Sequence, residues 1–315
     1  AKTQTSAMNP ETTLAQKDIQ VICNHHGIIY KTDQRITTGF SNEIHLINNE
    51  VILKVCTRPE NIDRFTVEEK MLAHDEGFLK PKLIAADFSK QIIPSEYILM
   101  EYVDGDPLGF IWHTLDNTAR ASLVKEISTT LRDINQINPS EIFDTHEKWG
   151  DYIANRFGKS NQRLLKREIL TRQQFDDIAE IFEKYRSVLN TSPTKVNYWD
   201  IHFDNFIVKD GKLAAIIDLE AVSETALDYP MYVIRKMMNQ PEKYLTEENE
   251  QYAKLEDYEN LEKWYRKYYS EMFEFDHFEE RVAIYQMLDV LHLLKDWWKN
   301  SELYVELNGF ISKLK

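Results

Sequence analysis

The sequence predicts an α+β fold in two lobes, a small antiparallel sheet with one main helix followed by a larger, mostly helical part. Between Tyr30 and Val103, short apolar or β-branched runs alternate with turn residues, which is the pattern of a strand meander. Beyond Asp104-Gly105-Asp106-Pro107, a turn-prone stretch, the apolar residues fall instead into helical stripes. The 315 residues are 43% hydrophobic, enough to fill a core shared between two lobes. The expected division is therefore an N-terminal lobe over residues 1–103 and a C-terminal lobe over 104–315.

Element by element, a helix is expected from about Pro10 to Gly27, stopped by Asn24-His25-His26-Gly27. Three strands follow, Tyr30 to Thr38, Glu43 to Ile47 and Glu50 to Cys56, with turns at Gly39-Phe40-Ser41-Asn42 and Asn48-Asn49. Asn61 to Glu76 carries Ile62, Phe65, Val67, Met71 and Leu72, approximating one helical face, and closes at Gly77. Pro81 to Phe88 and Tyr97 to Val103 complete the sheet. In the second lobe, helices are expected over Asn117 to Gln136 and Asn161 to Leu189. The exception there is a hairpin in which Phe206-Ile207-Val208 and Leu213 to Ile217 flank Lys209-Asp210-Gly211-Lys212.

Composition narrows the function. Against 38 Lys and Arg stand 52 Asp and Glu, a net charge of -14, so the summed field repels a phosphate backbone and nucleic acid is not an expected partner. Cys23 and Cys56 are too few for a disulfide framework or a four-ligand zinc site, and a reducing cytoplasm is the expected location. The first ten residues lack a basic and apolar leader, and no apolar run approaches the roughly 20 residues that span a bilayer, so no membrane association is expected.

The chemistry gathers on the hairpin. Asp200 lies five residues ahead of Asn205, which precedes an apolar strand, and Asp218 ends the next strand thirteen residues further on. Phosphoryl transfer needs an oriented hydroxyl and cations on the phosphate oxygens, and an Asp base beside Asn and Asp ligands of Mg²⁺ meets that need. Turn chemistry alone explains an isolated Asp or Asn, but not the repeat at the end of a buried strand.

This stretch, Tyr198-Trp199-Asp200 to Asn205 with Ile217-Asp218-Leu219-Glu220, resembles the aminoglycoside phosphotransferase and choline kinase family, small-molecule relatives of protein kinases. Tyr198-Trp199 stands where that family has His-Gly. The resemblance implies a protein-kinase-like fold and transfer of a phosphate from ATP, with Mg²⁺ held by Asn205 and Asp218 and with Asp200 as catalytic base. It implies a phosphate loop at Gly39, Ser41 and Asn42, a strand lysine at Lys54, and a helix glutamate at Glu69, which adjoins Glu68. The backbone of Glu101 and Val103 would hold the adenine, and Asp228 would brace the catalytic loop. His202 is expected to be structural. The departure at Tyr198-Trp199 also fits a pseudokinase or nucleotide-dependent binding module without transfer. A protein kinase is disfavoured, since Asp218 is followed by Leu219-Glu220 and no A-P-E-like segment follows.

For the acceptor, residues 242–280 hold 13 Asp or Glu against 5 Lys or Arg, interleaved with aromatic residues. Such a surface suits a cation, so the expected acceptor is a small hydroxylated and cationic molecule, aminoglycoside-like or choline-like. Trp264, Asp289, Asp296, Trp297 and Trp298 are candidate contacts by position and residue type.

Overall fold

The computed structural model of the chain describes residues 14–36, 42–75, 77–246 and 249–315. Packing divides it into two units, one of residues up to Asp133 with His202–Val222, the other of Ile134–Ile201 with Ser223–Lys315. This division differs from one at 103/104. Strand Asp106–Pro107 pairs with Phe206–Lys209 and the Leu213 N–H donates to Glu126 at 2.8 Å, which ties residues 104–133 to the hairpin, while the Ile216 N–H donates to the Leu79 carbonyl at 2.9 Å and ties the hairpin to the sheet part. The cut falls within helix Asn117–Gln136, whose bounds match the sequence expectation.

The first unit begins with helix α1, Gln16–His25. Strands β1, Asp33–Ile36, β2, Glu43–Ile47, and β3, Val51–Val55, lead to helix α2, Ile62–Ala73, and then to β4, Leu83–Asp87, and β5, Tyr97–Glu101. They form one antiparallel sheet in the order β1-β2-β3-β5-β4. Asn48 and Asn49 join β2 to β3 with φ of 54° and 60°, the paired left-handed conformation of a type I′ turn. Ile19, Ile22 and Cys23 of α1 are buried against Ile47, Val51, Leu53, Val55, Tyr97 and Leu99. Each large aliphatic side chain so covered contributes about 1.5–3 kcal/mol. Because side chains alternate along a strand, the same register turns Lys54 to the opposite face.

The remainder of the unit is built on the expected hairpin, Phe206–Lys209 with Lys212–Ile216, whose turn residues Asp210 and Gly211 also have positive φ, 51° and 74°. Gly105, with φ of 147°, sits so close to the hairpin that a Cβ there would lie 2.6 Å from the Val208 carbonyl oxygen.

The second unit is helical, as the stripes predict. One expected element is corrected: the helix foreseen over Asn161 to Leu189 is two helices, Trp149–Lys166 and Arg172–Asn190. Glu168 adopts φ of 57° between them, and Thr171 with Gln174 forms a reciprocal capping box that starts the second helix. The pair closes over Phe157 and Phe182, with ring centroids 3.7 Å apart. Helices Phe278–Leu293 and Ser301–Leu314 pack together, and strand Thr194–Tyr198 pairs with Val222–Ala226. Among the described residues no helix is long and apolar enough to cross a membrane.

Candidate active site

Lys54 is the centre of the first unit's polar interior. Its ammonium donates to Glu68 Oε2 at 2.6 Å and to Asp218 Oδ1 at 2.8 Å, and lies 3.2 Å from Glu220 Oε2. Four segments of the chain are joined there: β3, α2, the end of strand Lys212–Ile216, and the short turn Leu219–Ala221. Asn42, just before β2, adds a fifth by donating to Glu220 Oε2 at 2.7 Å. The carboxylate oxygens of Glu68, Asp218 and Glu220 lie within 4.8 Å of one another.

One ammonium among three carboxylates leaves the cluster short of positive charge. Burial opposes the charge on Lys54, but Asp218, Glu68 and Glu220 outweigh it and hold the ammonium protonated well above the usual lysine range. Glu68 is only 2% exposed, and burial pushes its carboxyl up to about 7 against the attraction of Lys54. Asp218 goes the other way. Burial raises it, yet Lys54, His202 and Arg64 together hold it below the ordinary carboxylate range. Asp218 therefore stays ionised, with 41% of its side chain open to solvent.

Asp218 is also strained. It occupies the left-handed region, φ 58° and ψ 52°, which disfavours a residue with a Cβ by about 1–2 kcal/mol. The Ile217 N–H donates to the Asn205 carbonyl at 2.9 Å, which fastens the base of this turn to the turn Phe203–Asn205. Asn205 is 6% exposed. Strain of this kind, held in place by several independent contacts, is characteristic of sites whose geometry serves a ligand.

The expected partner of Lys54 is corrected. Glu69 is half-exposed, and Glu68 makes the ion pair, because Phe65, Glu68, Met71 and Leu72 form the buried stripe of α2 while Glu69 is turned about 100° around the axis. Glu220 also joins the cluster, and the signal for it in the sequence is its place two residues after Asp218, in a turn. Gly39 and Ser41 lie outside the described residues. At the end of β5, the Glu101 N–H donates to Lys82 and the Tyr102 N–H to Glu50, so successive peptide groups face opposite sides. Val103 follows directly.

Asp200 belongs to the second unit, half-buried after strand Thr194–Tyr198. Its charge and that of Asp289 both act on Tyr232 and Tyr244, whose phenols burial pushes well up. Trp199 stacks on Tyr232 with planes 27° apart, and Tyr229 is tilted against both. Asp289 is held by the Lys236 ammonium. Of the other aromatic candidates, Trp264 is buried in the core with Leu261 and Tyr265, whereas Trp297 and Trp298 are exposed beyond helix Phe278–Leu293.

Asp228, expected to brace the catalytic loop, is bound by residues of helix Phe278–Leu293. Arg281 grips it twice, Nε to Oδ2 at 2.6 Å and Nη2 to Oδ1 at 2.8 Å, and the Tyr285 hydroxyl donates at 3.1 Å. Both Asp228 and Arg281 are essentially excluded from water.

A buried strand lysine salt-bridged to a helix glutamate and to a strained, ionised Asp behind an Asn is the arrangement of a nucleotide-dependent phosphotransferase. Comparison with known proteins agrees: residues 32–264 match the model of the phosphotransferase enzyme family, and the chain belongs to that family. It is a small-molecule kinase. No curated protein matches the chain in sequence. In fold it is similar to ADP-bound aminoglycoside phosphotransferase APH(2'')-Ib, at 15% identity over 95% of this chain and 97% of that one, with a TM-score of 0.67. The gentamicin complex of APH(2'')-IIa is similar at 17% identity, 96% of each chain and a TM-score of 0.65. A thermostable mutant of APH(4)-Ia follows at 11% identity, 94% and 96% coverage and 0.63.

Proposed function

We propose that the protein transfers the γ-phosphoryl group of ATP to a hydroxyl of a small cationic acceptor, aminoglycoside-like or choline-like, and requires Mg²⁺. The observation that supports this most is the Lys54 cluster, in which one cation is shared by three carboxylates from separate segments. In this reading residues 1–103 form the nucleotide lobe and 104–315 the catalytic and acceptor lobe.

Lys54, held by Glu68, binds α- and β-phosphate oxygens. The stretch Gly39, Ser41 and Asn42 would contact the phosphates, and the Glu101 carbonyl with the Val103 N–H would hold the base. The donor set fits a hard divalent cation, since it is made of oxygen ligands with surplus negative charge. Asp218 and Asn205 would hold it, and when bound it neutralises charge on the transferred phosphate. Asp200, by its place five residues before Asn205, orients the acceptor hydroxyl and takes its proton on a carboxylate oxygen. Asp200 beside the partly exposed Trp199 supports an acceptor that carries ammonium groups. The gentamicin and streptomycin complexes among the similar structures favour the same acceptor class.

The test is incubation with ATP, Mg²⁺ and a panel of aminoglycosides, amino alcohols, neutral sugars and nucleosides, followed by mass spectrometry. A phosphate-sized gain on hydroxylated amines, abolished by chelation of divalent ions, is expected. Phosphate gained only by neutral sugars or nucleosides would rule out the cationic acceptor.

A further inference from the structure

Helix α2 carries Glu68, and its C-terminal end is closed in an unusual way. The residue after it, His74, is extended, with φ of -65° and ψ of 129°, so no left-handed cap folds back on the last carbonyls. Those carbonyls are met from outside the helix. The Lys80 ammonium donates to the Met71 carbonyl at 2.8 Å and the Leu72 carbonyl at 2.7 Å, and also to that of His74. All three of its N–H donors are therefore used, and its charge lies at the negative end of the helix dipole. Burial lowers the Lys80 pKa, with Asp75 opposing. The Phe78 ring lies 5.1 Å from the ammonium.

The neighbouring residue ties the same segment to the other side of the cluster. The Ile216 N–H donates to the Leu79 carbonyl at 2.9 Å, and Ile216 is two residues from Asp218. Phe78-Leu79-Lys80 thus holds the end of the helix that presents Glu68 and the end of the strand that presents Asp218. Those two carboxylates grip Lys54 from both sides.

We propose that Lys80 is a positioning residue for the nucleotide site: by capping α2 it sets the reach of Glu68 to Lys54, and so controls phosphate binding without touching substrate. This rests on the reading of Lys54 and Glu68 given under Proposed function. Lys80→Met leaves three carbonyls without their cation and lets the last turn of α2 fray, which loosens Glu68 more than it alters the acceptor side.

The experiment is a double-mutant cycle on turnover and nucleotide KM with Lys80→Met, Glu68→Gln and the pair, using ATP as the nucleotide and an acceptor that the mass-spectrometric panel identifies. Lys80→Met is expected to raise nucleotide KM by about three- to thirty-fold, with acceptor KM nearly constant. In the Glu68→Gln background the same change should have almost no further effect, and Lys80→Arg, which keeps a multidentate cation, should restore part of the loss. Equal effects of Lys80→Met with and without Glu68 would overturn the proposal and leave Lys80 a stabilising cap only. Should Lys80→Met fail to fold, Lys80→Gln enters the same cycle, and loss of fold in both variants also overturns it. A Glu68→Gln protein with unchanged nucleotide KM would instead sink the underlying reading of the Lys54 site, which separates that failure from this one.

Discussion

Two buried charge clusters in this chain have opposite character. At Asp228 one carboxylate meets one guanidinium in a bidentate pair, completed by the Tyr285 hydroxyl donating to Asp228 and the Ser192 hydroxyl accepting from Arg281. At Lys54 one ammonium is divided among three carboxylates, and one of these sits on a left-handed residue with its side chain partly open. The first is balanced and closed. The second has more carboxylates than ammonium groups and is strained and partly open, which fits the proposed nucleotide site. The first therefore reads as a structural brace, and the second supports the proposed nucleotide site.

The sharpest way to break this comparison is at Asp218. Asp218→Gly should abolish turnover, because the ionised carboxylate is lost, yet leave stability unchanged or raise it by up to about 1 kcal/mol, because Gly relieves the left-handed backbone. Parallel assays of phosphate transfer and denaturant unfolding check both halves. Next is Asp200→Asn, expected to lower kcat by roughly 10² to 10⁴-fold with nucleotide affinity little altered, the signature of a lost general base. Unchanged turnover in that variant would remove Asp200 from the chemistry.

Arg281→Met tests the other cluster. It leaves Asp228 buried without its cation and should reduce unfolding free energy by about 3–5 kcal/mol, measured by chemical denaturation. Nucleotide affinity of the folded fraction should be unaffected. The smallest and most discriminating effect is expected from the adjacent pair on α2. Glu68→Gln should raise nucleotide KM by about ten-fold, whereas Glu69→Gln, on the half-exposed face, should stay within about two-fold.

Much of this was legible in the sequence. The alternation of β2 and β3, the Asn48-Asn49 and Asp210-Gly211 turns, and the stripe of helix Asn117–Gln136 are local patterns, and each element lies where its pattern places it. Lys54 and Asp218 are singled out through the family resemblance and the spacing of Asp200, Asn205 and Asp218, and the fold brings these two together. What failed did so for identifiable reasons. Choosing between Glu68 and Glu69 depends on helix phase, and the stripe of Phe65, Met71 and Leu72 already contained the answer, since position 68 shares their face and 69 does not. The break between helices Trp149–Lys166 and Arg172–Asn190 is signalled by Thr171-x-x-Gln174, a capping box inside a long periodic stretch. Arg281 could not be found from sequence, because its partner Asp228 is 53 residues away and nothing local distinguishes a buried arginine on a helix from an exposed one. The tether at Lys80 was equally hidden. It depends on the distance between a loop and a helix end, which only the folded chain defines.

The central claim is that Lys54, clasped by Glu68 and Asp218, is where the nucleotide phosphates bind. Calorimetric titration of ATP with Mg²⁺ into the wild-type protein and into Lys54→Arg tests it most directly, since arginine keeps the positive charge the carboxylates need but cannot reproduce the compact ammonium. The account predicts a fully folded variant whose ATP affinity falls at least about ten-fold, the loss expected when one charged phosphate contact is misplaced. Equal affinity of the two proteins would contradict it.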